Sequence, residues 1–122
     1  MTYGVALRLD RGLVFAADTR TNAGVDNVSQ FRKLHYWRRP GDRVVVLLTA
    51  GNLGVSQSVI SILNEQMTEG SDCEHTLMNA TSMYRAARIV GDAVREVRRV
   101  DGEALEATRS GFFVSFILGG QI

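Results

Sequence analysis

The chain has 122 residues, 45% of them hydrophobic and 22% charged, which suits one small globular domain with a real core. Its net charge of +1 gives no electrostatic case for nucleic acid or an anionic membrane, and the single cysteine, Cys73, excludes an intrachain disulfide framework. No apolar run approaches the roughly 18 residues of a membrane span, and the N-terminus lacks the basic-then-apolar order of a signal peptide, so a cytoplasmic protein is expected.

Residues 3–9 and 13–18 are nearly continuous apolar runs that predict two strands, turned at Asp10-Arg11-Gly12. Residues 21–31 are small and polar and predict a loop. Lys33-Leu34-His35-Tyr36-Trp37 predicts a third strand, and 43–50, rich in β-branched residues, a fourth. Arg38-Arg39-Pro40-Gly41-Asp42 is the turn between them. The apolar period then changes to a helical one at Val59, Ile60, Leu63 and Met67, with Asn52 as the cap. A second helix is predicted over about 76–99, with Met83, Ala87, Val90, Val94 and Val97 on one stripe and most arginines off it. Asp101-Gly102 is expected to end it, 103–110 to be a connector, and 111–120 a fifth strand. The pattern is α+β, with helices on one face of a mostly antiparallel sheet. Two helices are too few to cover strands apolar on both faces. A single but incomplete domain over 1–122 is therefore expected, its uncovered face buried by more chain or by another subunit.

The chemistry gathers at one rim of this sheet. If Met1 is removed, Thr2 carries a hydroxyl and a free α-amine on one residue. That amine, with a pKa of about 7.7–8.0, can accept a proton near neutrality and activate a hydroxyl that is a weak nucleophile alone. Antiparallel pairing sets Asp18, at the end of the second strand, beside Thr2 at the start of the first. Lys33 begins the third strand and can reach the same rim. It is the only lysine among 14 basic residues, and a lysine can share its proton where arginine cannot. Gly51 ends the fourth strand where a helix begins, so its N–H is a ready donor to an oxyanion. Other features carry less. Cys73-Glu74-His75 lacks the second pair a metal site needs. His35 reads as packing or surface, and the arginines of the second helix as a solvated face. Trp37 reads equally as a subunit anchor or as local packing. Gly119-Gly120 lacks the setting of a phosphate loop.

The sequence resembles the bacterial ancestral-beta-subunit family, Anbu, which is related to proteasome beta subunits. The residues that carry the likeness are Met1-Thr2-Tyr3, the run from Gly12 to Asn27, Phe31-Arg32-Lys33, Pro40-Gly41-Asp42-Arg43, the run from Leu47 to Leu53, and the run from Phe116 to Ile122. The resemblance implies an N-terminal-nucleophile (Ntn) hydrolase fold, a four-layer αββα sandwich, of which this chain is the N-terminal half. It implies a threonine-type peptidase with Thr2 as nucleophile, its own amine as proton acceptor, and Asp18 and Lys33 as the pair that tunes them. Gly51 would donate to the oxyanion, Arg20 would support the site, and Thr21 and Asn22 would line the substrate-backbone groove. No metal or organic cofactor is implied. The partners implied are a polypeptide or peptide substrate and further copies of the chain in a homo-oligomer; an unfoldase is left open. A non-catalytic subunit of a proteasome-like assembly and an amidase acting on small amides are the alternatives.

Overall fold

Gly12 opens the return strand of the first hairpin. The computed structural model describes residues 1–22, 28–109 and 111–122. In it β1 (Gly4–Leu9) pairs antiparallel with β2 (Gly12–Ala17), Gly4 opposite Ala17 and Leu9 opposite Gly12. Two three-residue strands, β3 (Arg20–Asn22) and β4 (Val28–Gln30), pair within the stretch expected to be a loop. So short a pair carries no readable apolar alternation; it is held by backbone bonds, extended by the Phe31 N–H donating to the Thr19 carbonyl at 2.7 Å. The expectation for 23–27 lies outside the described residues.

The main sheet has the order β5-β6-β7, all antiparallel, from β5 (Leu34–Arg39), β6 (Arg43–Gly51) and β7 (Val114–Gln121). Strand β6 lies in the middle, and its side chains alternate between two covers. Val45 and Leu47 belong to the core formed with α1 (Leu53–Gln66) and α2 (Met83–Ala107). Leu48 faces the other way, where a Cβ added at Gly4 of the hairpin would meet its side chain at 3.5 Å. The order in space is thus a helix pair, a three-stranded sheet and a hairpin, an α+β arrangement. Val55, Val59 and Leu63 of α1 and Ala86, Val90, Ala93 and Val97 of α2 fill the helix side. Each fully buried Val or Leu contributes about 1.5–3 kcal/mol.

The second helix begins and ends later than its pattern suggested. Residues 76–82 do not join it because their backbone has other partners. The Thr76 N–H donates to the Asn79 side chain at 2.7 Å, and Arg43 donates to the Ala80 carbonyl at 2.6 Å and the Leu77 carbonyl at 3.4 Å. Those two carbonyls would otherwise accept from the next helical turn. Ser82 then caps α2, its hydroxyl accepting from the Arg85 N–H at 3.2 Å. At the far end the helix runs through Gly102, which is buried, and brings Leu105 onto the core. That packing outweighs the roughly 1 kcal/mol a helical glycine costs. The buried stripe includes Ala86 and Ala93, and Ala87 is exposed, so the stripe sits about one residue from the expected line. Among the described residues no helix is long and apolar enough to cross a membrane.

The inner face of the hairpin meets β7 through a ring. A Cβ added at Gly119 would lie 2.5 Å from the tip of the Phe15 ring. Gly119→Ala is expected to lower stability by about 1–3 kcal/mol through this overpacking, read as a reduced urea midpoint with an unchanged slope. A full-strength midpoint would mean that Phe15 does not pin the hairpin to the sheet. The outer face carries Val5, Leu7, Leu9, Val14 and Ala16, since directly opposed residues share a face. Leu7, Leu9 and Val14 are exposed there. The four-layer sandwich implied by the resemblance would need a further helical layer on this face.

Candidate active site

Lys33 is the centre of the rim. It is 6% exposed, so its ammonium needs partners to offset lost hydration. Nζ lies 3.0 and 3.2 Å from the two Asp18 carboxylate oxygens and 3.2 Å from the Met1 carbonyl, and it donates a short hydrogen bond to the Arg20 carbonyl. Three acceptor groups match the three hydrogens of an ammonium. The placement follows from topology. Lys33 directly precedes β5, its carbonyl accepts from the Thr49 N–H of β6 at 2.8 Å, and its side chain reaches the open end of the hairpin.

Asp18 is held by the hairpin itself. The Tyr3 N–H donates to one carboxylate oxygen at 2.8 Å and the Arg20 N–H to the other at 3.2 Å. The Asp18 N–H returns to the Tyr3 carbonyl at 3.0 Å. These contacts, the Tyr3 amide first and the Lys33 ammonium next, hold its pKa down to about 2. The carboxylate stays charged through the range in which peptidases work.

Thr2 is half-buried just before β1 and lines a cleft of about 120 Å³ with Met1, Arg20, Thr21, Lys33 and Gly51. Four of the expected residues, Thr2, Arg20, Thr21 and Gly51, therefore share one cleft with Lys33, and Asp18 contacts that lysine from the hairpin. Arg20 enters differently from expectation. Its backbone N–H and carbonyl bond Asp18 and Lys33 while the residue is exposed. Asn22 ends β3 opposite Val28.

Gly51 sits at φ 100°, a backbone region other residues avoid, and an added Cβ would collide with the Phe113 carbonyl. Successive N–H groups of a central strand alternate between its neighbours. The Thr49 N–H goes to the Lys33 carbonyl on the β5 side, and the Asn52 N–H goes to the Phe113 carbonyl on the β7 side at 2.7 Å. The Gly51 N–H therefore turns to the β5 side, beyond Lys33, where the cleft lies.

Sequence reasoning missed several participants. The Tyr3 amide and the Met1 carbonyl are backbone groups and leave no signal in residue type. Thr49 and Ser56, both buried, line the cleft from β6 and α1; a polar pair flanking Gly51-Asn52 was the available hint. The weaker candidates resolve locally. Cys73 Sγ donates to the His75 carbonyl, and Trp37 Nε1 donates to Asn64 of α1 at 2.8 Å, which is packing within the chain. His35 is partly buried, and burial first, then the Arg32 charge, lowers its pKa.

No protein-family model matches the chain, and no curated protein matches it. Solved structures do. Anbu from Hyphomicrobium sp. strain MC1, in a Gly-1 mutant, is 58% identical with a TM-score of 0.87. Anbu (ancestral beta-subunit) from Yersinia bercovieri is 44% identical with a TM-score of 0.84. The structure described as the helical assembly of the Anbu complex from Pseudomonas aeruginosa is 43% identical with a TM-score of 0.85. Each match covers 100% of this chain and 48% of the solved one, so the chain spans about half the length of these relatives. Matched along its whole length at these identities, the chain belongs to the proteasome-related Anbu, or ancestral beta-subunit, family.

Proposed function

We propose that this chain carries the nucleophile half of a threonine-type N-terminal-nucleophile peptidase. The observation that carries this is the cleft in which Thr2 and Gly51 flank a buried lysine held by Asp18. Removal of Met1 frees the Thr2 amine. It also takes away the Met1 carbonyl, which accepts from Lys33, and so releases one ammonium hydrogen beside Thr2. The Thr2 oxygen then attacks the carbonyl carbon of a peptide, and its proton passes to the Thr2 amine, a step of the kind that contributes about 10²–10⁴ in rate. The Gly51 N–H donates to the oxyanion of the tetrahedral intermediate, worth about 10²–10³. Collapse breaks the C–N bond, and the amine returns its proton to the leaving nitrogen. Water, deprotonated by the same amine, attacks the ester. The acid product leaves and the Thr2 hydroxyl is restored. This chemistry needs no metal or organic cofactor. Thr21 and Asn22, on β3 beside the cleft, would pair with the substrate backbone.

The intact mass of the purified protein tests this first. Loss of one methionine, followed by covalent labelling of Thr2 with a peptide bearing an electrophilic warhead, is expected. Retention of Met1, with no labelling, would overturn the nucleophile assignment.

A second reading keeps the chain non-catalytic, a structural subunit of an oligomer. The exposed apolar face of Leu7, Leu9 and Val14 favours burial against something, and the Pseudomonas aeruginosa relative is described as a helical assembly. Self-association fits both readings, as does a cytoplasmic setting for a chain with one free cysteine. The completed αββα sandwich would lay helices over that face. An amidase acting on small amides uses the same steps, and a panel of peptides against small amides separates it from a peptidase.

A further inference from the structure

Asn52 has a role in the helix cap that any good capping residue could fill. Its Oδ1 accepts from the Val55 N–H at 3.1 Å. The rest of the residue is engaged elsewhere. The side-chain Nδ2 donates to the Gly111 carbonyl at 3.2 Å, and the backbone N–H donates to the Phe113 carbonyl at 2.7 Å. Its own carbonyl accepts from the Ser56 N–H at 3.0 Å and the Ser56 hydroxyl at 2.8 Å. One asparagine thus ties the end of β6, the start of α1 and the lead-in to β7. The carbonyl it grips at Phe113 is the one that leaves no room for a side chain at Gly51. Wherever residues 111–113 stand, the Gly51 peptide is turned to suit them.

We infer that Asn52 is a positioning residue for the Gly51 N–H, holding segment 111–113 against the end of β6 so that this amide faces the Thr2 cleft. The inference rests on the proposed role of Gly51 as oxyanion donor. Both ends of the Asn52 amide are used, one to cap and one to hold, and the two functions separate by substitution. Aspartate and serine cap helices about as well as asparagine. Serine offers no reach to Gly111, and aspartate would set a carboxylate against that carbonyl. Helix stability should therefore survive in both variants while the side-chain hold on Gly111 is lost, leaving the segment only the backbone bond from residue 52 to Phe113. The Thr2 amine, Asp18 and Lys33 are untouched, so the pH profile should not move.

The test uses Asn52→Ser and Asn52→Asp in the protein expressed with its whole natural coding sequence. Three readouts are taken: the melting temperature, the crystal structure around Gly51, and kcat and KM for a peptide as functions of pH. The expected result is a melting temperature within a few degrees of the parent and a rotated Gly51 peptide. The kcat should fall about 10–100-fold, with KM within about twofold and an unshifted pH profile. An unrotated Gly51 in both variants overturns the inference, as does a rotated Gly51 with parental kcat. A shift in the pH profile would also overturn it, since the substitution would then be acting through the Thr2 amine. If the parent shows no hydrolysis while Gly51 rotates as expected, the peptidase reading fails and the structural role of Asn52 stands.

Discussion

Thr2→Ala is expected to remove peptide hydrolysis, by about 10³-fold or more, with no matching loss of stability. The substitution deletes the one atom that forms the acyl bond, and losses of that size are usual when a nucleophile is removed. Thr2 is half-buried and precedes the first strand, so the core of Val45, Leu47 and Leu63 is not involved. Thr2→Ser keeps a hydroxyl and an amine on one residue and should retain a measurable fraction of the parental rate. Steady-state hydrolysis of a peptide panel, with intact masses confirming that Met1 has been removed from each variant, checks the pair. Full activity in Thr2→Ala would sink the mechanism. Equal inactivity of Thr2→Ser and Thr2→Ala would show that the hydroxyl alone does not decide the rate.

Lys33→Met is expected to cost about 10²–10³ in kcat while leaving the chain folded. Methionine fills much of the lysine's volume, and the Asp18 charge left behind is not stranded, because it is partly exposed and keeps the Tyr3 and Arg20 amides. What disappears is the cation beside Thr2 and one support of Asp18. The Asp18 pKa is about 2 in the parent, below its ordinary 3.8. A carboxylate depressed in the folded state stabilises the fold above its unfolded pKa, and that contribution fades as pH falls through the folded value. The parent should keep this contribution down to about pH 4 and lose it between there and about pH 2. In Lys33→Met the value should rise yet stay below 3.8, because the Tyr3 amide, the larger cause, remains. An NMR titration of the Asp18 carboxyl carbon reads this directly. An unmoved value would remove Lys33 as a cause, and a value at or above 3.8 would remove Tyr3. Lys33→Arg should not rescue the rate, since a planar guanidinium cannot direct hydrogens to the Asp18 carboxylate and the Arg20 carbonyl while keeping a third beside Thr2, as an ammonium does.

The rim was legible in part. Once 3–9 and 13–18 read as a hairpin, Thr2 and Asp18 had to be neighbours. The single sheet expected from the sequence is divided, however, and Lys33 and Gly51 reach the same place from a separate three-stranded sheet packed against that hairpin. The same reasoning could not see backbone groups. It gave Arg20 a supporting charge where the structure uses its amide and carbonyl, and it saw Asn52 only as a cap. The fold was misread where local periodicity met a tertiary demand. Residues 76–82 were expected to open the second helix, yet Arg43, more than 30 residues earlier in the chain, takes two of their carbonyls. Asp101-Gly102 looks like a stop signal, yet the helix continues because Leu105 has a core to reach. Strands β3 and β4 are too short to print a pattern at all.

The outer face of the first hairpin has a consequence for handling the protein. With a net charge of +1, the molecules have little mutual repulsion at neutral pH. A band of exposed leucine and valine on a surface of that kind makes colloidal behaviour depend on what lies over the band. Each half-exposed leucine left bare keeps about 1 kcal/mol of attraction available to any neighbour. Taken alone at neutral pH, residues 1–122 should cloud or cluster as concentration rises. A drop toward about pH 4, where exposed carboxylates begin to neutralise, should thin the suspension by raising the positive charge on every particle.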